Sequence, residues 1–167
     1  MLIYHPAFDA YHSIFRILVV IDRMRDIELD KARILEFYLL FPAALCKVRI
    51  PSGSSNVKKN AKTFTNPYHD PINLRSTFRE MRAMQDAAIK CLAAAELIDK
   101  DRLEHGFLTR TKKNIPDNLK GFLDRFVQER LVVAEYIFGD LANFSLYGMN
   151  GLKDRTNLME FRYDYAV

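Results

Sequence analysis

Residues 14–21 constrain this chain more than any other stretch. Tyr11, Ile14, Phe15, Leu18 and Ile21 recur at helical spacing, and Ile17, Val19 and Val20 fill most of the remaining angles. A helix that is apolar nearly all round has to be covered on two sides. Those covers are the protein's own core on both sides, or its core on one and a partner subunit on the other; the pattern allows either. With 167 residues, 49% of them hydrophobic, the chain has material for one core, and we read residues 1–167 as one domain.

The rest of the chain supplies helices that could pack around that segment. Asp30 is a suitable N-cap for a helix carrying Ile34, Leu35, Tyr38 and Leu39, which Pro42 ends or bends. Residues 27–29 form a short candidate strand. Residues 50–73 hold three prolines and no periodicity, and read as a long loop. From Leu74 to about Leu97 a strongly periodic helix buries Leu74, Phe78, Met81, Ala88, Leu92 and Ala95. Residues 102–110 read as two short strands around His105-Gly106, and Pro116 opens another long helix with Leu119, Phe122, Leu123, Phe126, Val133, Ile137 and Leu141 in register. Residues 161–165 alternate like an edge strand or docking peptide. This order predicts a mainly α, winged-helix-like domain with a small β-hairpin wing and additional C-terminal helices. Its competitor is an irregular helical domain without a true hairpin.

Catalytic signatures are missing from the text. The clustered glycines Gly148 and Gly151 match neither a phosphate loop nor a dinucleotide fingerprint, and there is no nucleophile elbow or His-Glu-x-x-His. His5, Asp9 and His12 stand at i, i+4, i+7, a spacing that on a continuous helix would offer metal ligands. Pro6 displaces His5 from such a helix and leaves Asp9 to cap it. The expectation is therefore no enzyme, no cofactor, no metal and no small-molecule substrate. Cys46 and Cys91 are distant from each other and read as buried free thiols of a reducing compartment. No apolar run reaches the ~20 residues of a membrane span and the start has no secretory pattern, so we expect a soluble cytoplasmic protein with no membrane contact.

Charge is more telling in its distribution than in its net value of +4. Between Glu36 and Asp70 there is no acidic residue, while Lys47, Arg49, Lys58, Lys59 and Lys62 fall there. Arg75, Arg79 and Arg82 share one face of the long helix, and Arg110, Lys112 and Lys113 follow the expected wing. Lys58, Lys59, Lys62, Arg75, Arg79, Arg82, Arg110, Lys112 and Lys113 are thus the candidate DNA-binding residues, with backbone-directed contact expected.

The run Tyr4-His5-Pro6-Ala7-Phe8-Asp9-Ala10-Tyr11-His12, continuing through Ile14-Phe15-Arg16, resembles the opening of the small middle component of ABC-three component systems, the group that includes Lamassu anti-phage defence. Leu35-x-Phe37-Tyr38 with Phe41-Pro42 is similar to that family as well. The resemblance implies a non-catalytic accessory subunit that assembles with a coiled-coil ATPase like those of chromosome maintenance and with an effector, often a nuclease, in response to phage or plasmid DNA. Tyr4, Phe8, Tyr11 and Arg16 are the expected partner interface, by their aromatic and arginine content. The alternative is a free-standing winged-helix transcription regulator that dimerises through its first helix.

Overall fold

The computed structural model describes residues 5–161. Helix α1 (Ala10–Met24) opens at Asp9, whose Oδ1 accepts from the His12 amide at 3.0 Å. It packs on α2 (Leu29–Leu40) and on α4 (Leu74–Ala94), which opens at Asn73 in the same manner, its Oδ1 accepting from the Ser76 amide at 2.9 Å. Ile17, Leu18, Val19, Val20 and Ile21 are all buried between these neighbours. Over Ile17–Ile21 the two covers demanded by the all-round apolar segment thus come from its own chain.

Helix α2 is buried from Ala32 to Leu39 and stops at Phe41, where Pro42 begins a tight helical turn, Pro42–Lys47. It starts one residue before Asp30. That carboxylate sits in the first turn, where it favours the helix dipole, and accepts from Arg33 at 3.1 Å instead of capping. The expected long loop over residues 50–73 contains helix α3 (Ser55–Lys62), which packs on the 42–47 turn and is too short and polar for its periodicity to be read. The expected helix after Pro116 is two: α6 (Asp117–Gln128) and α7 (Leu131–Tyr136), separated at Arg130, whose φ of −133° leaves the helical region. A wider turn over Ile137–Leu141 follows, and α8 (Leu152–Thr156) closes the described chain.

The largest departure from expectation is the hairpin. Residues 102–104 are not a strand; they belong to helix α5 (Lys100–Glu104), nucleated by Asp99, which accepts from the Arg102 amide at 3.0 Å. Strand β2 (Phe107–Thr109) pairs antiparallel with β1 (Asp26–Glu28), Ile27 facing Leu108, across some eighty residues of sequence. Its other edge meets the segment after α4. Ile98 bridges Arg110, Asp99 N donates to Thr109 O at 2.9 Å, and Thr111 N donates to Leu97 O at 3.1 Å. The fold is mainly helical, with a small antiparallel two-stranded sheet.

The thiols also differ from expectation. Cys91 is exposed and Cys46 half-buried, because Cys91 lies on the flank of α4 that turns away from α1. Among the described residues no helix is long and apolar enough to cross a membrane. Of the expected C-terminal strand only Phe161 falls within the described residues.

Candidate functional site

Two arginines that look alike in sequence have opposite surroundings. Arg16 is buried in α1, its Nε donating to Glu36 Oε1 at 2.6 Å and its Nη2 to the carbonyl of Pro6 at 3.3 Å. Glu36 is fully buried and accepts a second bond from Gln85 Nε2 at 2.8 Å. A buried carboxylate is tolerable only with such partners. Arg16, expected at the partner interface, is buried and ties α1, α2 and α4 together within the domain. Arg33, on α2, is held by Asp30 and by a close contact to Asp86 of α4.

Arg79 and Arg82 are the contrast: both are exposed, and among the described residues neither has a hydrogen bond or ion pair. Arg75, one turn earlier, donates to Glu160 Oε2 at 3.1 Å. All three lie on the α4 stripe beside a cavity of about 420 Å³, which Arg33, Gln85 and Lys153 line from within, with Phe78, Leu158 and Met159 as its apolar wall. Lys153 is brought there by α8, whose first turn requires Gly151, since a Cβ at that position would collide with the carbonyl of Tyr147.

The remaining basic candidates separate into two places. Lys58, Lys59 and Lys62 are on α3; Lys62 shares a shallow depression with Lys47 and Leu74, so these lysines adjoin the beginning of α4. Arg110, Lys112 and Lys113 stand at its other end. Lys113 Nζ donates to the carbonyl of Ala95 at 2.8 Å and to Glu96 at 3.2 Å, placing a cation where the helix dipole favours one. From Arg82 to Ala95 is about 20 Å of helix. The three groups therefore do not converge on one spot. Arg110 is committed as well: its guanidinium donates to the carbonyls of Thr111 at 3.0 Å and Lys113 at 2.6 Å, and burial pulls its pKa down. It fastens the end of β2. Lys112 has no such bond.

At the amino-terminal end, Phe8 and Tyr11 are exposed, Tyr11 by 83%. Tyr4 lies outside the described residues. Tyr68 and Ile72, on the loop leading into α4, are exposed too. The His5 ring links this loop to the start of α1. Its Nδ1 accepts from the Ala7 amide at 3.2 Å, so Nε2 holds the proton and donates to the carbonyl of His69 at 3.2 Å. His5 thereby faces away from Asp9 and His12, which are 3.2 Å apart. Asp9 is held below the ordinary aspartate range chiefly by the His12 amide. Among the described residues no group of three or more His, Cys, Asp or Glu is arranged to hold a metal ion.

Sequence reasoning missed the buried network and the cavity. A signal for the network existed: Arg16 and Glu36 each interrupt an otherwise apolar helix, and a lone charge inside such a run requires a partner. The cavity had none, because its wall is completed by Leu158, Met159 and Glu160, from a segment with no periodic pattern.

Comparison with known proteins defines the class. The family model described as ABC-three component (ABC-3C) system Middle Component 5 matches residues 2–164. The chain belongs to this family and is a middle component of a multi-component system. No curated protein and no solved structure matches it.

Proposed function

We propose that this chain is the non-catalytic accessory subunit of a Lamassu-type anti-phage or anti-plasmid complex, bridging a coiled-coil ATPase and an effector, and that it touches DNA through the backbone. Membership of the middle-component family supports an accessory role. The observation that carries the bridging reading is the set of exposed large apolar side chains near the amino-terminal end: Phe8 and Tyr11 about the start of α1, Tyr68 and Ile72 on the loop into α4 that His5 ties to it. Large apolar side chains at the centre of a contact supply most of its free energy, and an isolated domain gains nothing by leaving three rings and an isoleucine in water.

A winged-helix arrangement fits this role. Helix α1, strand β1, helix α2 and helix α4 come in the required order, and β2 runs between β1 and the 97–99 segment, as a wing strand would. The wing is then shortened, its tip replaced by α5. In this arrangement α4 is the recognition helix, and Arg79 and Arg82 on it, with Lys58, Lys59 and Lys62 on α3 near its start, supply phosphate contacts. The alternative of a regulator dimerising through α1 is disfavoured by the burial of Ile17 to Ile21.

Co-expression with the products of the neighbouring genes tests the proposal. A tagged chain is expected to bring down a long coiled-coil ATPase and a second component in fixed stoichiometry. Purification as a free monomer or homodimer, with both gene products present and unbound, would contradict it.

A further inference from the structure

Helices α6 and α7 part without a breaker: Gln128, Glu129, Arg130 and Leu131 are ordinary helix formers, with neither glycine nor proline among them. At the break the Arg130 guanidinium lies over the Phe126 ring, 3.4 Å from its centre, and Phe126 in turn meets Phe15 of α1 edge-on at 5.3 Å. A guanidinium stacked on a ring keeps the donors along its edge available. Among the described half-buried arginines Arg130 makes the fewest hydrogen bonds, one, from Nη1 to the Phe126 carbonyl; Arg102 reaches the Asp26 carboxylate, and Arg110 and Arg155 each reach carbonyls of two residues or more. Its Nε is sealed from water, so Nη2 is the nitrogen left to take an acceptor. No carboxylate pairs with Arg130 among the described residues, and burial pulls its pKa down, as it does for a cation without a counter-charge.

Arg130 lines a cleft of about 200 Å³ between the end of α2 and the loop before α4, with Phe41 and Phe64 in its apolar wall and His5, His69 and Asp70 among its polar groups. Those groups are engaged within the fold: His5 spends both ring nitrogens there, and Asp70 Oδ2 accepts from the Asn66 amide at 2.8 Å. Sites for whole small molecules run to roughly 300–1,000 Å³, so a cleft of about 200 Å³ has room for a side chain only. One guanidinium beside one carboxylate suits a singly charged acceptor and disfavours a phosphate dianion. The cleft also adjoins the exposed apolar side chains. The His5 ring is 5.3 Å from that of Phe8, and His69 follows Tyr68 in the chain. Protein interfaces draw most of their energy from such aromatic anchors and from an arginine that they shield from water.

We propose that this cleft receives an acidic side chain of a partner component, with its carboxylate on Arg130 Nη2 and its methylenes against Phe41 and Phe64. The proposal rests on the accessory-subunit reading and deepens it. The exposed apolar side chains supply contact area, and Arg130 selects a partner segment that carries a glutamate or aspartate among its apolar residues. Closed off from water by those contacts, the pair is worth more than one at the rim of an interface.

The tagged full-length chain is co-expressed with the products of the neighbouring genes and purified as wild type, Arg130→Glu and Arg130→Lys. Arg130→Glu is expected to weaken assembly by at least about thirtyfold, since it sets two carboxylates face to face, and Arg130→Lys to keep it within about tenfold of wild type. A carbodiimide, which joins an amine to a carboxylate with no spacer, is then applied to the Arg130→Lys complex. The expected product links position 130 to a glutamate or aspartate of a partner component, and changing that residue to arginine is expected to restore assembly of Arg130→Glu. If the isolated Arg130→Glu chain melts early, the link formed by Arg130→Lys decides. The proposal is overturned if a folded Arg130→Glu chain assembles like wild type, if position 130 forms no link, or if it links only to Asp70 or another carboxylate of the same chain. In each of those outcomes an assembled wild type leaves the accessory reading standing. A wild-type chain that assembles with neither gene product overturns both.

Discussion

Arg16 and Arg82 are each placed on a long helix of the same three-helix layer, yet one is sealed against Glu36 and the other stands in water with no partner among the described residues. The difference separates cations the fold consumes from cations it leaves over. Arg16, Arg33, Arg110 and Lys113 each donate to carboxylates or carbonyls of the fold, at a helix crossing, a helix end or a strand end. Arg79, Arg82, Lys59, Lys62 and Lys112 satisfy nothing within the described residues. Basic residues of the first kind are there for stability, and those of the second kind are available to another molecule.

The sharpest way to break this division is at its buried side. Glu36→Ala leaves the Arg16 guanidinium and the Gln85 amide without their acceptor inside the core, and is expected to cost about 3–5 kcal/mol in urea unfolding. A loss under about 1 kcal/mol would mean that water reaches Arg16 and that the network is not sealed. Replacing Arg16, Glu36 and Gln85 together by Met, Leu and Leu is expected to recover most of the loss, since an apolar trio of similar volume owes no desolvation.

A second, smaller effect concerns the aromatic cluster. Tyr11→Ala is expected to weaken assembly with the partner components by about 2 kcal/mol or more, while the isolated chain melts as before. Co-purification and a thermal melt on the same preparation check both halves. Unfolding of the isolated chain would move Tyr11 to the stability side of the division.

The smallest effect is on the sheet. Asp26 is held below its ordinary value of 3.8, mainly by the Thr109 hydroxyl and then by Arg102, whose Nη2 reaches both its oxygens at 3.0 Å. Because the folded state lowers this pKa, the ionised carboxylate stabilises the fold above that value, and the contribution is lost as the pH falls below it. Asp26→Asn is expected to remove about 0.2–1 kcal/mol at neutral pH, as for other exposed pairs, and to flatten the acid side of a plot of Tm against pH. An acid limb of unchanged steepness would assign it to other carboxylates.

The legible part of the molecule was whatever one helix encodes by itself. The apolar face of α4, the stop at Pro42 and the start after Pro116 follow from periodicity and proline chemistry, and the helices lie close to where those signals put them. The hairpin misled because its residues alternate convincingly, while Asp99, an N-cap three residues ahead of Arg102, competes for the same segment and prevails. The partners of β2 are residues 97–99, just across helix α5, and residues 26–28, some eighty positions away, a pairing that no local pattern records. The arginine face of α4 was legible as a stripe, but not which of its members would be paired. That depended on Glu160, which the segment after α8 brings to Arg75.

The division between consumed and available cations is tested most directly by a salt titration of DNA binding on the assembled complex, comparing wild type with Arg79→Ala/Arg82→Ala. Two lost phosphate contacts are expected to lower the slope of log affinity against log salt by about two, equally for two unrelated duplexes, with the melting temperature of the chain unchanged. An unchanged slope, or a chain that melts substantially earlier, would contradict the account.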